Sequence, residues 1–439
     1  MDEKQKLKYF INDEYFMNEY EFVKFMEEKK EELIEEKMRF QKREIVGKIL
    51  DEAANFKSRK SDSMFIFYGL RGIGKTTSLL QALGEIKGMY VDGDALSYHN
   101  LDLLNVIDEY KSYNQSRILL IDELASIKKW GKALKIIHDM YGMKIIATGS
   151  SAIKIDAEKK EIIRRARFFE LSPLSFKEYL KMKHSISLQA EPKEIEDVLF
   201  SNPSDGYVKA KEILLRIKND DINRHFREYL MDGFPLCFEM KIEEAAEYIL
   251  DKIIADDFPL VAGFNLEISE KAKKIASAIA LSKPGATSLS TFSEIAECSK
   301  TTASNILSAF EASSLIIPVM ANKTGASKLR KEVKELFSSP ALRYGLKKKM
   351  GGDSDFGGIR EDFFVSSLYY GGIQVEYIPE SKKSPDYAII KNGKMQTVEI
   401  GGKGKGAEQV KKGIVFGEGK EIDFANNVLY LPLFFAGLL

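Results

Sequence analysis

The feature that most constrains this chain of 439 residues is a glycine-rich loop between an apolar strand and a helix. Met64–Tyr68 has the sequence MFIFY, which is typical of a buried strand. The residues after the loop have helical amphipathic spacing, and we expect that helix to end at Gly88. Between them, GLRGIGKT at 69–76 fits the Walker A pattern G-x-x-x-x-G-K-[ST]. The sequence therefore predicts a phosphate-binding loop in an α/β fold.

Each position of this loop has a chemical reason. Glycines let backbone N–H groups surround a phosphate, and the helix N-terminus adds a positive dipole end. Lys75 would reach the β- and γ-phosphates of ATP, and Thr76 would offer its hydroxyl to Mg²⁺. The alternative is a glycine-rich turn with a surface lysine. The expected nucleotide-binding residues are Gly69, Leu70, Arg71, Gly72, Ile73, Gly74, Lys75, Thr76 and Thr77.

The second pattern, RILLIDE at 117–123, is an apolar strand that ends in two acids, as in Walker B. In a parallel sheet the carboxyl ends of the strands face the ligand. Asp122 would hold Mg²⁺, and Glu123 would orient or deprotonate the attacking water. The alternative is that the two acids have no function.

A third strand, KIIATG, ends in small polar residues. Thr148 and Ser150 could sense the γ-phosphate by hydrogen bonding, or they could form an ordinary polar turn. Arg164, Arg165 and Arg167 follow. One of them could reach the γ-phosphate, often that of a neighbouring subunit, so a homo-oligomer is compatible with the sequence.

Short apolar strands alternate with amphipathic helices from Met64 onward, which predicts a parallel sheet with helices on both faces. We expect five segments along the chain: a charged helical N-terminal segment, the ATPase core, a helical lid, a winged helix and a small α/β domain. Their predicted bounds are 1–57, 58–176, 177–265, 266–328 and 329–439.

GLRGIGKTT, LLIDEL, IIATGSSA and FELSPLSFKEYL together resemble the AAA+-type ATPases of archaea and bacteria whose C-terminal half ends in a nuclease-like domain. FREYLMDGFPL at 226–236 is similar to the lid segment of that family. The resemblance covers about residues 60–439 and implies a helical lid, a winged helix and a domain like the PD-(D/E)XK nucleases. The family usually has a Gly-Arg pair at this point of the sequence. Arg165 matches the arginine of that pair, but Arg164 stands where the family has glycine.

A short helix, a turn and a second helix are predicted at 290–312, with Ser299 capping the second helix. A strand at 315–319 and a loop at 321–328 would form the wing. The winged helix and residues 323–349 could contact double-stranded DNA, or this module could bind a protein. The residues expected to face DNA are Thr301, Thr302, Asn305, Ser308, Lys323, Lys328, Arg330, Lys331, Lys334, Arg343, Lys347, Lys348 and Lys349.

Asn392-Gly393 between two alternating strands predicts a β-hairpin. Counting back from this turn pairs Asp386 with Glu399, and Glu361 on the preceding helix could add a third carboxylate to a metal site. The lysine expected two residues after the second acid is Gly401, although Lys403 and Gln409 lie nearby in sequence. The alternative is a degenerate nuclease fold that serves as a scaffold.

The 66 basic and 66 acidic residues balance, so any basic surface must be local. Two cysteines, no signal-peptide pattern and no apolar run of membrane-spanning length favour a cytoplasmic protein. Apolar residues at 429–439 favour a buried terminal strand. The favoured function is a Mg²⁺-dependent ATPase acting as a nucleotide-driven switch. The alternatives are an ATP-regulated nuclease and a non-catalytic nucleotide-binding scaffold.

Overall fold

The computed structural model describes residues 16–55, 64–113, 115–149, 158–217, 221–260, 266–283, 285, 287–323, 333–352, 356–379, 384–401, 412–419 and 421–439. By internal contacts the chain forms two compact units. The first comprises Met1–Tyr68 and Gly74–Leu171, and the second comprises Gly69–Ile73 and Ser172–Leu439.

The first unit is an α/β unit in which helices alternate with strands. Its elements in chain order are α1 (Glu19–Met38), α2 (Glu44–Ala54), β1 (Met64–Tyr68), α3 (Lys75–Leu83), β2 (Met89–Asp92), α4 (Gly93–Tyr98), α5 (Leu103–Tyr113), β3 (Ile118–Asp122), α6 (Trp130–Tyr141), β4 (Lys144–Gly149) and β5 (Ala166–Glu170).

These five strands form one parallel sheet in the order β2-β3-β4-β1-β5. Strands β1 and β4 are almost completely buried, as expected where helices cover both faces of a parallel sheet. The predicted fold class, a P-loop-type parallel sheet flanked by helices, is therefore confirmed.

The N-terminal helices belong to this unit. Asn18 and Glu21 form a capping box at the start of α1, which fixes where the helix begins. Although α1 is rich in charge, it buries Phe22, Val23 and Met26 and packs against α3 and α5. The charged segment therefore contributes a narrow apolar stripe to the core.

Helix α3 ends earlier than predicted. Its C-cap is Gly84, whose N–H donates to the carbonyl oxygen of Leu80, so the expectation that Gly88 ends the helix is wrong. Gly88 has a different role, because a Cβ atom there would lie 2.4 Å from the Leu120 side chain. The glycine lets the chain pass close to strand β3.

The second unit consists of helices followed by a mixed sheet. Its elements in chain order are α7 (Phe176–His184), α8 (Pro192–Phe200), α9 (Pro203–Ile217), α10 (Ile222–Asp232), α11 (Ile242–Asp256), α12 (Leu266–Leu281), α13 (Leu289–Ile295), α14 (Lys300–Ala312), β6 (Ile316–Met320), β7 (Val333–Phe337), α15 (Pro340–Lys349), α16 (Gly357–Tyr370), β8 (Gln374–Tyr377), β9 (Tyr387–Lys391), β10 (Lys394–Gly401), β11 (Gly413–Gly417), β12 (Asp423–Ala425) and β13 (Val428–Pro432).

Helices α13 and α14 form the expected helix–turn–helix. The Ser299 hydroxyl accepts a hydrogen bond from the Thr302 N–H at 3.0 Å, so the predicted cap of α14 is confirmed. Strands β6 and β7 then pair antiparallel. Of the predicted wing loop, residues 324–328 lie outside the described part of the chain.

The last six strands form a mixed sheet in the order β12-β13-β11-β10-β9-β8. Strands β9 and β10 make the predicted hairpin, with Lys391 opposite Lys394 and Tyr387 opposite Val398. Its turn places Asn392 and Gly393 at φ 50° and 76°, the left-handed conformations that an Asn-Gly turn favours.

The apolar C-terminus differs from the prediction in its second half. Strand β13 ends at Pro432, and Leu433–Leu438 is a buried 3₁₀-helix instead of a strand. Proline has no N–H for the sheet ladder, which is one reason for the strand to stop there.

One apolar cluster joins helices α7–α10 and α16 to the C-terminal sheet. Its centre is a group of aromatic rings from α7, α10, α16 and the C-terminal turn. The ring centroids of Phe226 and Phe363 are 4.7 Å apart, and those of Phe176 and Phe226 are 5.3 Å apart. Helices and sheet in this unit therefore depend on the same packing.

A buried ion pair crosses this unit. Arg343 on α15 and Asp362 on α16 are 2% and 0% exposed, and Nη2 of Arg343 donates to Oδ1 of Asp362 at 2.9 Å. The same carboxylate accepts from the Phe337 N–H of β7, and Arg343 also donates to the Ile279 carbonyl oxygen near the end of α12. Four elements therefore meet at one charge pair.

We expect Asp362→Ala to destabilise the second unit by about 3–5 kcal/mol, because it leaves the Arg343 guanidinium buried without its counter-charge. The free energy of unfolding from urea titration measures this. A double variant, Arg343→Met with Asp362→Leu, should recover much of the loss. Equal stability of wild type and Asp362→Ala would contradict the assigned role of the pair.

Candidate nucleotide site

The backbone of the glycine-rich loop has the conformation that only glycine adopts easily. Gly69, Gly72 and Gly74 have φ values of 149°, 74° and 88°. Gly74 is the N-cap of α3, so Lys75 is the first helical residue, and its side chain is 7% exposed. The predicted sequence of strand, glycine loop and helix is therefore present.

The middle of the loop packs within the second unit. A Cβ atom on Gly72 would lie 2.7 Å from Cδ1 of Ile249 and 3.0 Å from Cδ1 of Leu236. Arg71 lies 3.3 Å from Asp256 and 3.2 Å from the buried Asp257, at the C-terminal end of α11. The Arg71 side chain is thus held by carboxylates, which leaves its backbone for the predicted contact with phosphate.

Asp122 ends β3 as predicted and is 6% exposed. Its carboxylate accepts a hydrogen bond from the Thr148 hydroxyl, and the hydroxyl of Thr76 lies close enough to lower its pKa. Burial raises the pKa of Asp122 to about 7, the charges of Asp92 and Glu123 add to this, and the two hydroxyl groups oppose it. Residues predicted from two separate motifs therefore meet at one carboxylate.

This arrangement fits Mg²⁺. A buried carboxylate with a raised pKa lacks a compensating positive charge, and a divalent cation would supply it. Asp122 and the Thr76 hydroxyl offer oxygen atoms, which Mg²⁺ prefers. These two residues are the ones that would hold the ion.

Glu123 follows Asp122 in a left-handed backbone conformation with φ 49°, which is uncommon for a non-glycine residue. Its N–H donates to the Thr148 hydroxyl at 3.0 Å. Gly93 permits this turn, since a Cβ atom there would lie 2.5 Å from the Glu123 carbonyl oxygen. The main-chain direction at Glu123 is thus set by its neighbours.

Thr148 is fully buried and joins both acids. Its hydroxyl donates to Asp122 and accepts from the Glu123 backbone. Because a hydroxyl has one proton, a hydrogen bond to a phosphate requires the contact with Asp122 to be exchanged. The structure therefore gives Thr148 a positioning contact in addition to its predicted sensing role. Ser150 lies outside the described residues.

The three candidate arginines have different surroundings. Arg165 makes a two-pronged contact with Asp139 on α6, at 2.9 and 3.0 Å. Arg167 pairs with Glu52 on α2, and the Arg164 residue is exposed. A role of Arg165 across a subunit boundary would require release from Asp139.

Two residues near the site were not singled out from the sequence. Asp92 ends β2 directly beside Asp122, and burial raises its pKa. Its position at the end of an apolar strand was a usable signal. Arg43 is 5% exposed, with its Cδ 3.8 Å from where a Gly74 Cβ would lie. No local pattern indicates that this arginine lies beside the loop.

Two of the predicted C-terminal acids, Glu361 and Asp386, are close enough to affect each other electrostatically. The hairpin register makes Asp386 and Glu399 the next residues after the pair Tyr387 and Val398, and Glu399 is fully buried. Glu361 on α16 accepts a hydrogen bond from Tyr387 and lies 3.7 Å from Nζ of Lys334. Burial raises the pKa of Glu361 to about 7, and the charge of Asp386 adds to the shift.

Two basic residues predicted to contact DNA are internal. Arg343 pairs with Asp362, and Lys334 is 6% exposed, with its ammonium group 5.0 Å from the Tyr387 ring centroid. Their assignment to a DNA-binding surface is therefore wrong, because internal contacts already use both charges. Lys348 and Lys349 are exposed and pair with Glu243 and Glu247. Lys328, Arg330, Lys331, Lys403 and Gln409 lie outside the described residues.

The comparisons agree with this geometry. Residues 61–180 match the family model described as an AAA domain. This part of the chain is similar in sequence to AAA domains, and it contains the P-loop-type parallel sheet described above. Over 404 residues the chain is 28% identical to the uncharacterized protein MJ1637 of Methanocaldococcus jannaschii, covering 84% of this chain and 83% of that protein. It is also 31% identical to MJ1544 of the same organism over 128 residues, covering 27% of this chain and 28% of that protein.

Among solved structures, the Walker-type ATPase PABY2304 of Pyrococcus abyssi is similar at a TM-score of 0.40 and 15% identity. The match covers 70% of this chain and 96% of that chain. At this level of similarity the activity of that protein does not transfer to this one. Among the residues that the structure describes, no helix of the AAA-type domain or of the second unit has the length and apolar character to cross a bilayer.

We expect Thr148→Val to shift the pH dependence of Mg²⁺–nucleotide binding. Asp122 must be ionised to hold the cation, so affinity should rise as the pH increases through about 7. Loss of the Thr148 hydrogen bond to the ionised form should move that midpoint upward by about one pH unit. Binding of a fluorescent ATP analogue measured against pH tests this, and an unchanged midpoint would contradict it.

Proposed function

We propose that this chain is a Mg²⁺-dependent ATPase that uses nucleotide occupancy as a switch. The observation that carries the proposal is the meeting of Thr76, at the start of α3, with Asp122, at the end of β3. A phosphate loop and a metal-holding acid are needed at the same place for triphosphate chemistry. The AAA-type family match over residues 61–180 supports the same activity.

Each part of the site would have a separate role in binding and hydrolysing ATP. The backbone of residues 69–77 would hold the phosphates, and Lys75 would place its charge against the β- and γ-phosphates. Mg²⁺, when bound, would neutralise charge on the phosphate oxygens. Glu123 would orient the attacking water and accept its proton, with Thr148 holding the backbone beside it.

We expect Lys75→Ala to weaken nucleotide binding by about tenfold or more, because it removes a buried charge next to the phosphates. Glu123→Gln should keep binding and lose steady-state turnover. Phosphate release and calorimetric titration with ATP separate these two effects. Lys87→Ala and Glu161→Gln, which alter exposed residues of the same unit, serve as matched controls.

The same experiment distinguishes the scaffold alternative. A non-catalytic nucleotide-binding protein would bind ATP tightly and release no phosphate in wild type. Unchanged turnover in both Lys75→Ala and Glu123→Gln would reject the ATPase proposal itself.

We also propose that the helix–turn–helix engages a partner, either double-stranded DNA or a protein. Thr301, Asn305 and Ser308 of α14 are exposed on one face, which suits such a contact. Stimulation of turnover by double-stranded DNA would favour a DNA partner, and its absence would favour a protein. The division into core, lid, winged helix and C-terminal domain is part of this proposal.

A second candidate function is metal-dependent cleavage of nucleic acid by the C-terminal acids. It is favoured by one observation: the pKa of Glu361 on α16 is raised to about 7 by burial, and the charge of nearby Asp386 adds to the shift. A divalent cation would stabilise the ionised form of such a carboxylate. Lys334, 3.7 Å from Glu361, would supply the positive charge that Gly401 does not.

We expect Mn²⁺ to raise the thermal unfolding temperature of wild type more at pH 8 than at pH 6. The Glu361 pKa of about 7 means that the carboxylate is mostly protonated at pH 6 and must lose its proton to bind a metal. Glu399→Gln should abolish the shift and any DNA cleavage with Mn²⁺. If Mn²⁺ raises the unfolding temperature of wild type but no DNA is cleaved, the nuclease hypothesis is rejected and only metal binding is supported.

A further inference from the structure

A cluster of histidine and glutamate side chains lies in the second unit, at the edge of its aromatic core. His184 is the last residue of α7, and His225 and Glu228 lie one turn apart on α10. One potential ligand atom from each of the three side chains lies within 4.8 Å of the other two. Positions i and i+3 of a helix present both α10 side chains on the same face, which explains the clustering.

The polar atoms of this cluster are poorly satisfied. Nδ1 of His225 and Nε2 of His184 are both buried and make no hydrogen bond. Nε2 of His184 lies 3.1 Å from Oε2 of Glu228, so the two atoms are close enough for an ion pair but are not aligned for a hydrogen bond. The hydroxyl of Tyr179, whose ring centroid is 5.7 Å from that of His184, is also buried without a partner.

The two histidine rings of the cluster lie directly against each other. The rings of His184 and His225 stack with centroids 4.1 Å apart. Each ring has a buried nitrogen atom that makes no hydrogen bond, and both rings lie beside the carboxylate of Glu228.

We propose that His184, His225 and Glu228 form a binding site for one divalent transition-metal ion of the zinc type. Two imidazole nitrogen atoms and one carboxylate oxygen suit Zn²⁺ or Co²⁺ and do not suit Mg²⁺ or Ca²⁺, which prefer oxygen ligands. Bond lengths near 2.1 Å and tetrahedral angles require ligand atoms about 3.4 Å apart. The 3.1 Å between His184 and Glu228 is already close to this value.

The ligand atoms lie within 4.8 Å of one another, so side chains must rotate, including the stacked histidine rings, to bring them to metal-binding distance. Arg224 approaches Nε2 of His225 at 3.4 Å, but its side chain is 63% exposed and pairs with Asp221, so it can turn away. His184 precedes Ser185, where the chain leaves the helix with φ 56°, so the His184 side chain is at the free end of α7.

Three protein ligands leave at least one coordination position open, as in metal sites that bind an exchangeable ligand. His225 also lines an open cavity of about 650 Å³, together with Asp221, Arg216 and Gln189. This cavity gives the ion and a small ligand a route to the histidine. Metal binding would also join α7 to α10, which leads into the turn carrying Leu236.

Titration of the metal-free full-length protein with Co²⁺ and Zn²⁺, without nucleotide or Mg²⁺, tests the proposal. We expect one equivalent of Co²⁺ to give the visible absorption bands of a four-coordinate site, and Zn²⁺ to displace it. His184→Ala and His225→Ala should each weaken binding by about 100-fold or more, since each removes a direct ligand.

Two control variants address other binding sites. His138→Ala alters a histidine of the first unit, and Cys237→Ser removes a thiol of the second unit. Both should bind Co²⁺ like wild type. If a histidine variant does not fold, Glu228→Gln keeps the side-chain shape and should still weaken binding. No uptake by wild type, or unchanged uptake in His184→Ala and His225→Ala, would overturn the proposal.

Discussion

The carboxylate of Asp122 is the point on which the first unit's chemistry depends. It is buried at the end of β3, where water cannot stabilise its charge; a hydroxyl group from β4 donates to it, and one from the start of α3 lies close by. The hydroxyl from β4, on Thr148, also holds the backbone of Glu123. One polar cluster therefore links α3, β3 and β4. Because no positive charge among the described residues compensates the carboxylate of Asp122, the cluster is suited to bind a cation.

Buried charges organise the second unit in a different way. Arg343 and Asp362 satisfy each other and tie together α12, β7, α15 and α16, so this pair has no capacity left for a ligand. Arg71 is held by Asp256 and Asp257. Burial raises the pKa of both Asp362 and Glu361, but Asp362 binds a guanidinium group, whereas Glu361 lies near a second carboxylate, that of Asp386. The histidines beside Glu228 have buried nitrogen atoms that make no hydrogen bond. The neighbouring charges and the unsatisfied atoms therefore distinguish the candidate binding sites from the structural ion pair.

This distinction also explains why the basic segment at 323–349 was misleading as a DNA-binding surface. Composition counts charges but does not show which of them are already paired. Lys334 alternates in direction with its neighbours on β7 and ends up beneath the C-terminal sheet, near Glu361 and two tyrosine rings. Helix α14, with few charges, keeps an exposed polar face and is the better candidate for a partner.

The sequence by itself determined the features that depend on local geometry. Glycine at positions of positive φ, an apolar strand before it and a helix after it define the phosphate loop, and Asn-Gly defines the register that pairs the strands near Asp386 and Glu399. Both follow from short-range backbone preferences. The position of a helix end does not follow from local sequence alone. Gly88 has the residue type of a helix cap, but its role is to let the chain pass close to Leu120 of β3.

Only the tertiary structure decided which distant residues share one environment. Arg43 beside Gly74, Lys334 beside Glu361, and His184 beside His225 are separated by tens of residues in the sequence, and no periodicity connects them. Their proximity results from how whole elements pack, and the resulting burial sets whether a charge is compensated, shifted in pKa or left available to a ligand. Residue type indicates what chemistry is possible, but the packing of the fold decides where it occurs.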